Sequence, residues 1–222
     1  MTDDELRRVL EDRIAAVRAV VAGRATLVAV TKTVSPRVVG LLPALGVTDF
    51  GENRPQQLEA RARELPARWH LVGHLQRNKI DRTIPHTHLV HSVDSERLLQ
   101  SLAAFGTKRG TPVPVLLEVN CSREPAKGGF APEAVPALAD MLTVPGLEVR
   151  GLMTMAAFHD DPEACRPAFA ELRVLRDRLR EATGLPLPEL SMGMSHDYAV
   201  ALDEGATLVR VGSSLFAGLE AE

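Results

Sequence analysis

Apolar residues near the start of the chain recur at Leu6, Val9, Leu10, Ile14, Val17, Val20 and Val21, with acids and arginines between them. Spacings of three and four put them on one stripe, so the pattern predicts a helix over 3–22 with its charged face toward water. After it the rhythm changes. Short apolar runs alternate with longer amphipathic stretches, and the runs predict strands at 27–32, 49–52, 70–73, 89–93, 113–120, 151–155, 189–193 and 207–212. Helix starts stand between them. Ser35-Pro36, Ser95-Glu96 and Asp161-Pro162 each offer a capping side chain ahead of a first turn. The clearest apolar helix faces lie in 138–142 and 169–179.

Runs this short, rich in β-branched residues and bounded by helices, read as parallel strands buried on both faces. Eight such units predict an α/β fold: a single (β/α)8 TIM barrel with an extra N-terminal helix, occupying 1–222 as one domain. An open doubly wound sheet would carry a glycine-rich turn after its first strand, and Thr31 to Pro36 contains no glycine. Net charge is −3 with acids and bases interspersed, which gives no basic stripe for a nucleic acid. No apolar stretch approaches the ~20 residues needed to span a bilayer, and the acidic start Met1-Thr2-Asp3-Asp4-Glu5 has no signal-peptide pattern. Cys121 and Cys165 are far apart, so reduced thiols in a cytoplasmic protein are expected, without a disulfide or a metal cluster.

Candidate chemistry begins at Lys32, one of only four lysines among 26 basic residues. It ends the first predicted strand, and an amine at the mouth of a fold can act as a nucleophile toward carbonyls. In a barrel the functional groups sit where strands end, and phosphates are often held by the loops after strands seven and eight. Here those loops read Met194-Ser195-His196-Asp197 and Gly212-Ser213-Ser214. Free backbone N–H groups favour an anion there, serine hydroxyls add donors, and glycine allows close approach. Alternation in the last strand puts Leu208, Arg210 and Gly212 on one face. A buried guanidinium there needs an acceptor, either a ligand ring nitrogen or a carboxylate such as Glu118. An amine, a phosphate cradle and a cation between them describe a site for pyridoxal 5′-phosphate (PLP), carried as an aldimine on Lys32.

The residues also resemble a known family. Val28-Ala29-Val30-Thr31-Lys32, Phe50-Gly51-Glu52-Asn53, Trp69-His70-Leu71-Val72-Gly73, Leu75-Gln76-Arg77-Asn78-Lys79 and His91-Ser92-Val93-Asp94 are similar to motifs of the pyridoxal phosphate homeostasis proteins. So are Gly151-Leu152-Met153, the run Leu190-Ser191-Met192-Gly193-Met194-Ser195-His196-Asp197, and Val209-Arg210-Val211-Gly212. The resemblance implies a fold like the barrel domain of alanine racemase. It implies that Lys32 carries PLP, that Ser195, Gly212 and Ser213 hold its phosphate, and that Arg210 meets the ring nitrogen. Asn53 and Met194 complete the expected cofactor-binding set. Three places depart from the family pattern: His74 follows Gly73 where a proline is usual, the lysine loop reads Lys127-Gly128-Gly129, and Thr33-Val34-Ser35-Pro36 replaces a more basic stretch.

His70, His74, His86, His88 and His91 lack a supporting carboxylate or cysteine pattern, so metal binding is not expected. Cys121 reads as a small buried hydrophobe and Tyr198 as a packing residue. Two functions compete. One is a non-catalytic protein of PLP and vitamin B6 homeostasis and amino-acid balance, with PLP-dependent client enzymes as partners. The other is an amino-acid racemase of alanine racemase type with low activity. An arginine on the ring nitrogen makes a poor electron sink, and the second base of a racemase comes from a further domain, so the first is preferred. A third reading, an aldolase-type Schiff-base barrel, lacks a second strand-end lysine. With no exposed apolar stripe in the pattern, a monomer is expected.

Overall fold

The structure, a computed structural model, describes residues 1–219. Eight parallel strands close into a barrel in chain order. They are β1 (Thr26–Val30), β2 (Asp49–Glu52), β3 (Arg68–Leu71), β4 (Leu89–Val93), β5 (Val113–Glu118), β6 (Leu147–Met153), β7 (Glu189–Met194) and β8 (Leu208–Val211). The surrounding helices are α1 (Asp3–Val21), α2 (Pro36–Leu41), α3 (Pro55–Glu64), α4 (Ile80–Thr83), α5 (Glu96–Arg109), α6 (Ala139–Leu142), α7 (Arg166–Thr183), α8 (Tyr198–Asp203) and α9 (Ser213–Phe216). Val28, Leu89, Leu116, Met153 and Leu208 pack inside the barrel, while Val209 and Val211 face outward into the layer shared with the helices. The alternation expected in the last strand is therefore present, with Arg210 turned inward beside Leu208.

Helix starts follow their sequence signals. Ser35 and Ser95 accept from Val38 N–H and Leu98 N–H, and Asp161 accepts from Glu163 N–H. Thr2 and Glu5 form a capping box ahead of α1, whose Leu6, Leu10, Ile14, Val17 and Val21 are buried.

Strand ends differ from expectation for local reasons. β1 stops at Val30, because the Thr31 carbonyl accepts from Val34 N–H in a turn and from Arg61; Lys32 lies in that turn rather than in the strand. β5 stops at Glu118, and Val119 bridges Phe130 instead. β6 begins earlier than expected, because Leu147 to Val149 pair with Val113 to Val115. There the chain alternates apolar and charged residues, which a run-based reading passes over. β3 spans Arg68–Leu71 rather than 70–73, and Gly73 sits in the following loop. A Cβ on Gly73 would come within 2.1 Å of Asn53 O, so glycine lets the ends of β2 and β3 touch.

Candidate functional site

The carboxyl ends of the strands gather the sequence-identified residues at one mouth of the barrel. Lys32 is exposed on the turn after β1, and its two neighbouring carbonyls are clamped from below. Arg61 of α3 donates to Thr31 O at 2.7 Å, to Val34 O at 2.7 Å and to Glu52 Oε1 at 2.6 Å. Thr31 Oγ1 donates to the same Glu52 oxygen at 2.5 Å. Arg61 and Glu52 are both buried, so the exposed lysine stands on a turn braced by buried side chains. Neither Arg61 nor Glu52 was singled out from sequence, because nothing in the local pattern ties a mid-helix arginine to a turn 30 residues earlier.

Across the barrel seam, Ser195 Oγ accepts from Gly212 N–H at 3.2 Å and from Ser214 N–H at 3.1 Å, and Ser214 Oγ donates to Ser195 O at 3.2 Å. Two main-chain N–H groups thus converge on one point beside exposed Ser213. Ser195 does not cap α8, whose N-cap position is held by Asp197. Asp197 Oδ1 instead accepts from Met194 N–H at 2.6 Å, fixing the β7 loop. Met194 is the last residue of β7 rather than a loop residue. Gly193 is required by packing: its φ is +89° and a Cβ would meet Ala201 Cβ at 2.6 Å. Gly212 lies over Val30 O, where a Cβ would approach to 3.3 Å, so β1 and the β8 turn are in close contact near Lys32. Asn53 is half-buried after β2, with its backbone against Gly73.

Arg210 is buried, and it donates to Ser191 Oγ at 2.6 Å and to Thr154 O at 2.9 Å. Glu118 is not among these hydrogen-bond partners, although it is close enough to act through its charge. Burial pushes the Arg210 pKa down to about 10, against the opposing pull of Asp197 and Glu118, so it stays a cation at neutral pH. Burial, then repulsion from Asp94, pushes the Glu118 carboxyl up to about 7, with Arg210 and His74 opposing. His74 pairs with Asp94 at 2.8 Å on the rim. Lys127 donates to Ala156 O at 2.9 Å and pairs with Glu124.

Cys121 is buried, and desolvation raises its thiol to about 12, an inert group. Tyr198 packs against the core. Among the described residues no group of three or more histidine, cysteine, aspartate or glutamate side chains is arranged to hold a metal ion. Among them, too, no helix is long and apolar enough to cross a membrane.

An exposed amine after β1, converging main-chain N–H groups over β7 and β8 and a buried cation between them lie together at the carboxyl-end mouth of a closed parallel barrel. Residues 7–220 match the family described as alanine racemase, N-terminal domain. A pyridoxal phosphate homeostasis protein of Aquifex aeolicus is 40% identical over 196 residues, covering 86% of each chain. One of Deinococcus radiodurans is 43% identical over 198 residues, covering 88% of this chain and 90% of the relative. The structure of PipY from Synechococcus elongatus with PLP bound superposes with a TM-score of 0.85 at 32% identity, covering 94% of this chain and 100% of PipY. The chain belongs to the alanine racemase N-terminal-domain family and, within it, to the pyridoxal phosphate homeostasis proteins.

Proposed function

We propose that this protein binds PLP as an aldimine on Lys32 and keeps or hands on the cofactor without turning over a substrate. The observation that carries the reading is the meeting of the Lys32 turn with the β8 turn: Gly212 lies over Val30 O while its N–H and that of Ser214 converge beside it. The donor set fits the group. Neutral N–H and hydroxyl groups at Ser195, Gly212 and Ser213, next to Met194, suit a phosphate. Lys32 supplies the amine for the aldehyde, Arg210 a donor for the ring nitrogen, and Asn53 a polar wall. Curated relatives of the same length bear the name of PLP homeostasis, and PipY has been captured with PLP.

When bound, PLP can withdraw electrons from an amine substrate only as far as its ring nitrogen accepts them. A guanidinium that remains charged near pH 7 does not protonate that nitrogen, so carbanion chemistry is weak. Glu118, with a pKa near 7 at the barrel mouth, is the observation that favours the alternative of a slow racemase. Cytoplasmic residence, a single domain, a monomeric state and delivery to PLP-dependent enzymes accompany the main reading, which the two free, buried cysteines suit.

Absorbance tests it. Protein incubated with PLP and desalted is expected to retain the aldimine band, and Lys32→Ala to lose it. A wild-type protein without the band overturns the proposal. Hydrogen exchange at Cα of added amino acids in heavy water, with loss of stereochemistry, would establish the racemase instead.

A further inference from the structure

Beneath the site the barrel interior carries a line of polar side chains. Arg210 Nη1 donates to Ser191 Oγ at 2.6 Å, and Ser191 Oγ lies 2.8 Å from His91 Nδ1. His91 Nε2 lies 2.8 Å from His70 Nδ1, and His70 Nε2 lies 3.0 Å from Asp49 Oδ1. Asp49 is closed off at the far end by Arg68, at 2.8 Å and 2.6 Å, and by Thr48 Oγ1 at 2.8 Å. Ser191, His91, His70 and Asp49 are all buried, and the two imidazoles meet nearly edge to face, 73° apart.

With both imidazoles neutral, proton inventory allows the chain one direction. A guanidinium only donates, so the Ser191 oxygen accepts from Arg210, and with His91 Nδ1 left as a lone pair the Ser191 hydrogen goes to it. A carboxylate only accepts, so His70 carries its hydrogen on Nε2 and offers Nδ1 as a lone pair to His91 Nε2–H. Each imidazole then donates one hydrogen and accepts one. Burial above all holds His91 well below the ordinary histidine range, in keeping with a neutral ring there. Against the cost of burial, bonds from Arg68, His70 and Thr48 keep the Asp49 carboxyl ionised.

We propose that Ser191, His91, His70 and Asp49 are positioning residues for Arg210: an oriented hydrogen-bond chain along the barrel axis that fixes the guanidinium beneath the cofactor ring and polarises it toward the Asp49 charge. This rests on the cofactor reading above. The Ser191 link and the Thr154 carbonyl engage two of the five guanidinium N–H groups, leaving the others for the ligand. Because each link donates in the same sense, each strengthens the next, and the charge at one end of the barrel is felt at the other.

Histidine-labelled wild-type protein gives the first test, through imidazole nitrogen shifts with and without PLP. His70 and His91 are expected neutral with hydrogen on Nε2, and the His70 signal is expected to move on adding PLP although it is three links below Arg210. The second test titrates variants with PLP. Ser191→Ala is expected to weaken binding about tenfold, the effect of one lost charge-assisted bond, and to shift the absorbance maximum of the bound cofactor. Asp49→Asn keeps an acceptor for His70 without its charge, and is expected to give the same spectral shift with a smaller loss of affinity. Ser191→Thr, which retains the hydroxyl, is expected to restore both. A protonated or Nδ1-H imidazole at His91, or Ser191→Ala with wild-type affinity and spectrum, overturns the proposal while the cofactor reading stands. A wild-type protein that takes up no PLP overturns the cofactor reading and the role of the chain with it.

Discussion

Glu118 is the side chain whose surroundings most alter its chemistry. Its neighbours disagree: burial and Asp94 favour the neutral acid, while Arg210 and His74 favour the carboxylate, and the neutral form prevails up to pH about 7. The ordinary glutamate value is 4.5, so the native pKa lies above the unfolded one. Below pH 4.5 both states are protonated and the site costs nothing. Between 4.5 and about 7 the unfolded chain releases a proton that the native one keeps, so stability falls as pH rises through that window. Above it the loss is constant, at most roughly 3 kcal/mol. Glu118→Gln is therefore expected to match wild type at pH 4.5 and to become the more stable protein by pH 8, read from urea unfolding of the cofactor-free forms. A stability gap that does not widen with pH contradicts this. That Lys32, Ser195, Arg210 and Gly212 gather at one mouth could be anticipated from sequence, because each stands in or just past the end of a predicted strand. The chain beneath Arg210 was not, because His91 and Ser191 stand 100 positions apart and only barrel closure puts them in contact.

Among the elements, the junction of β1, β2 and α3 braces the Lys32 turn. A helix that only packed against the strands would leave the Thr31 carbonyl with Val34 N–H alone and the Val34 carbonyl without its Arg61 donor; Arg61 donates to both and balances its charge on Glu52. Arg61→Met keeps much of the volume but strands the buried Glu52 charge without the guanidinium opposite it, a change worth roughly 3–5 kcal/mol of stability. The denaturant midpoint is expected to fall accordingly, and partial recovery in the double variant with Glu52→Gln would show that the stranded charge is the cause. Unchanged stability in Arg61→Met would mean that the brace is ornamental. Helix starts and the positions of β2 and β4 could be read from sequence, since capping residues and apolar runs are local signals. The end of β1 and the start of β6 could not. One is set by a side chain from a later helix, the other by pairing with β5.

For the whole molecule the vulnerable place is the seam where β8 returns to β1, because closure there depends on the two most distant parts of the chain. Helix α1 seals it. Arg13 donates to Leu215 O at 2.9 Å, and Arg18 donates to Leu45 O at 3.0 Å and Gly46 O at 2.7 Å, while Leu10 lies fully buried in the outer core. The proposed cofactor site straddles the same seam, with Lys32 on one side and Gly212 on the other. Sealing and binding are therefore separate stabilising terms on one closed state. Leu10→Ala is expected to cost about 2–5 kcal/mol by leaving a cavity under α1. PLP at about a hundredfold excess over its dissociation constant is expected to return about 2.7 kcal/mol to wild type and variant alike. Equal gains, read from unfolding with and without PLP, would place the ligand's contribution in the closed barrel and not in α1. A smaller gain in Leu10→Ala would mean that loosening the helix opens the seam and weakens the site itself.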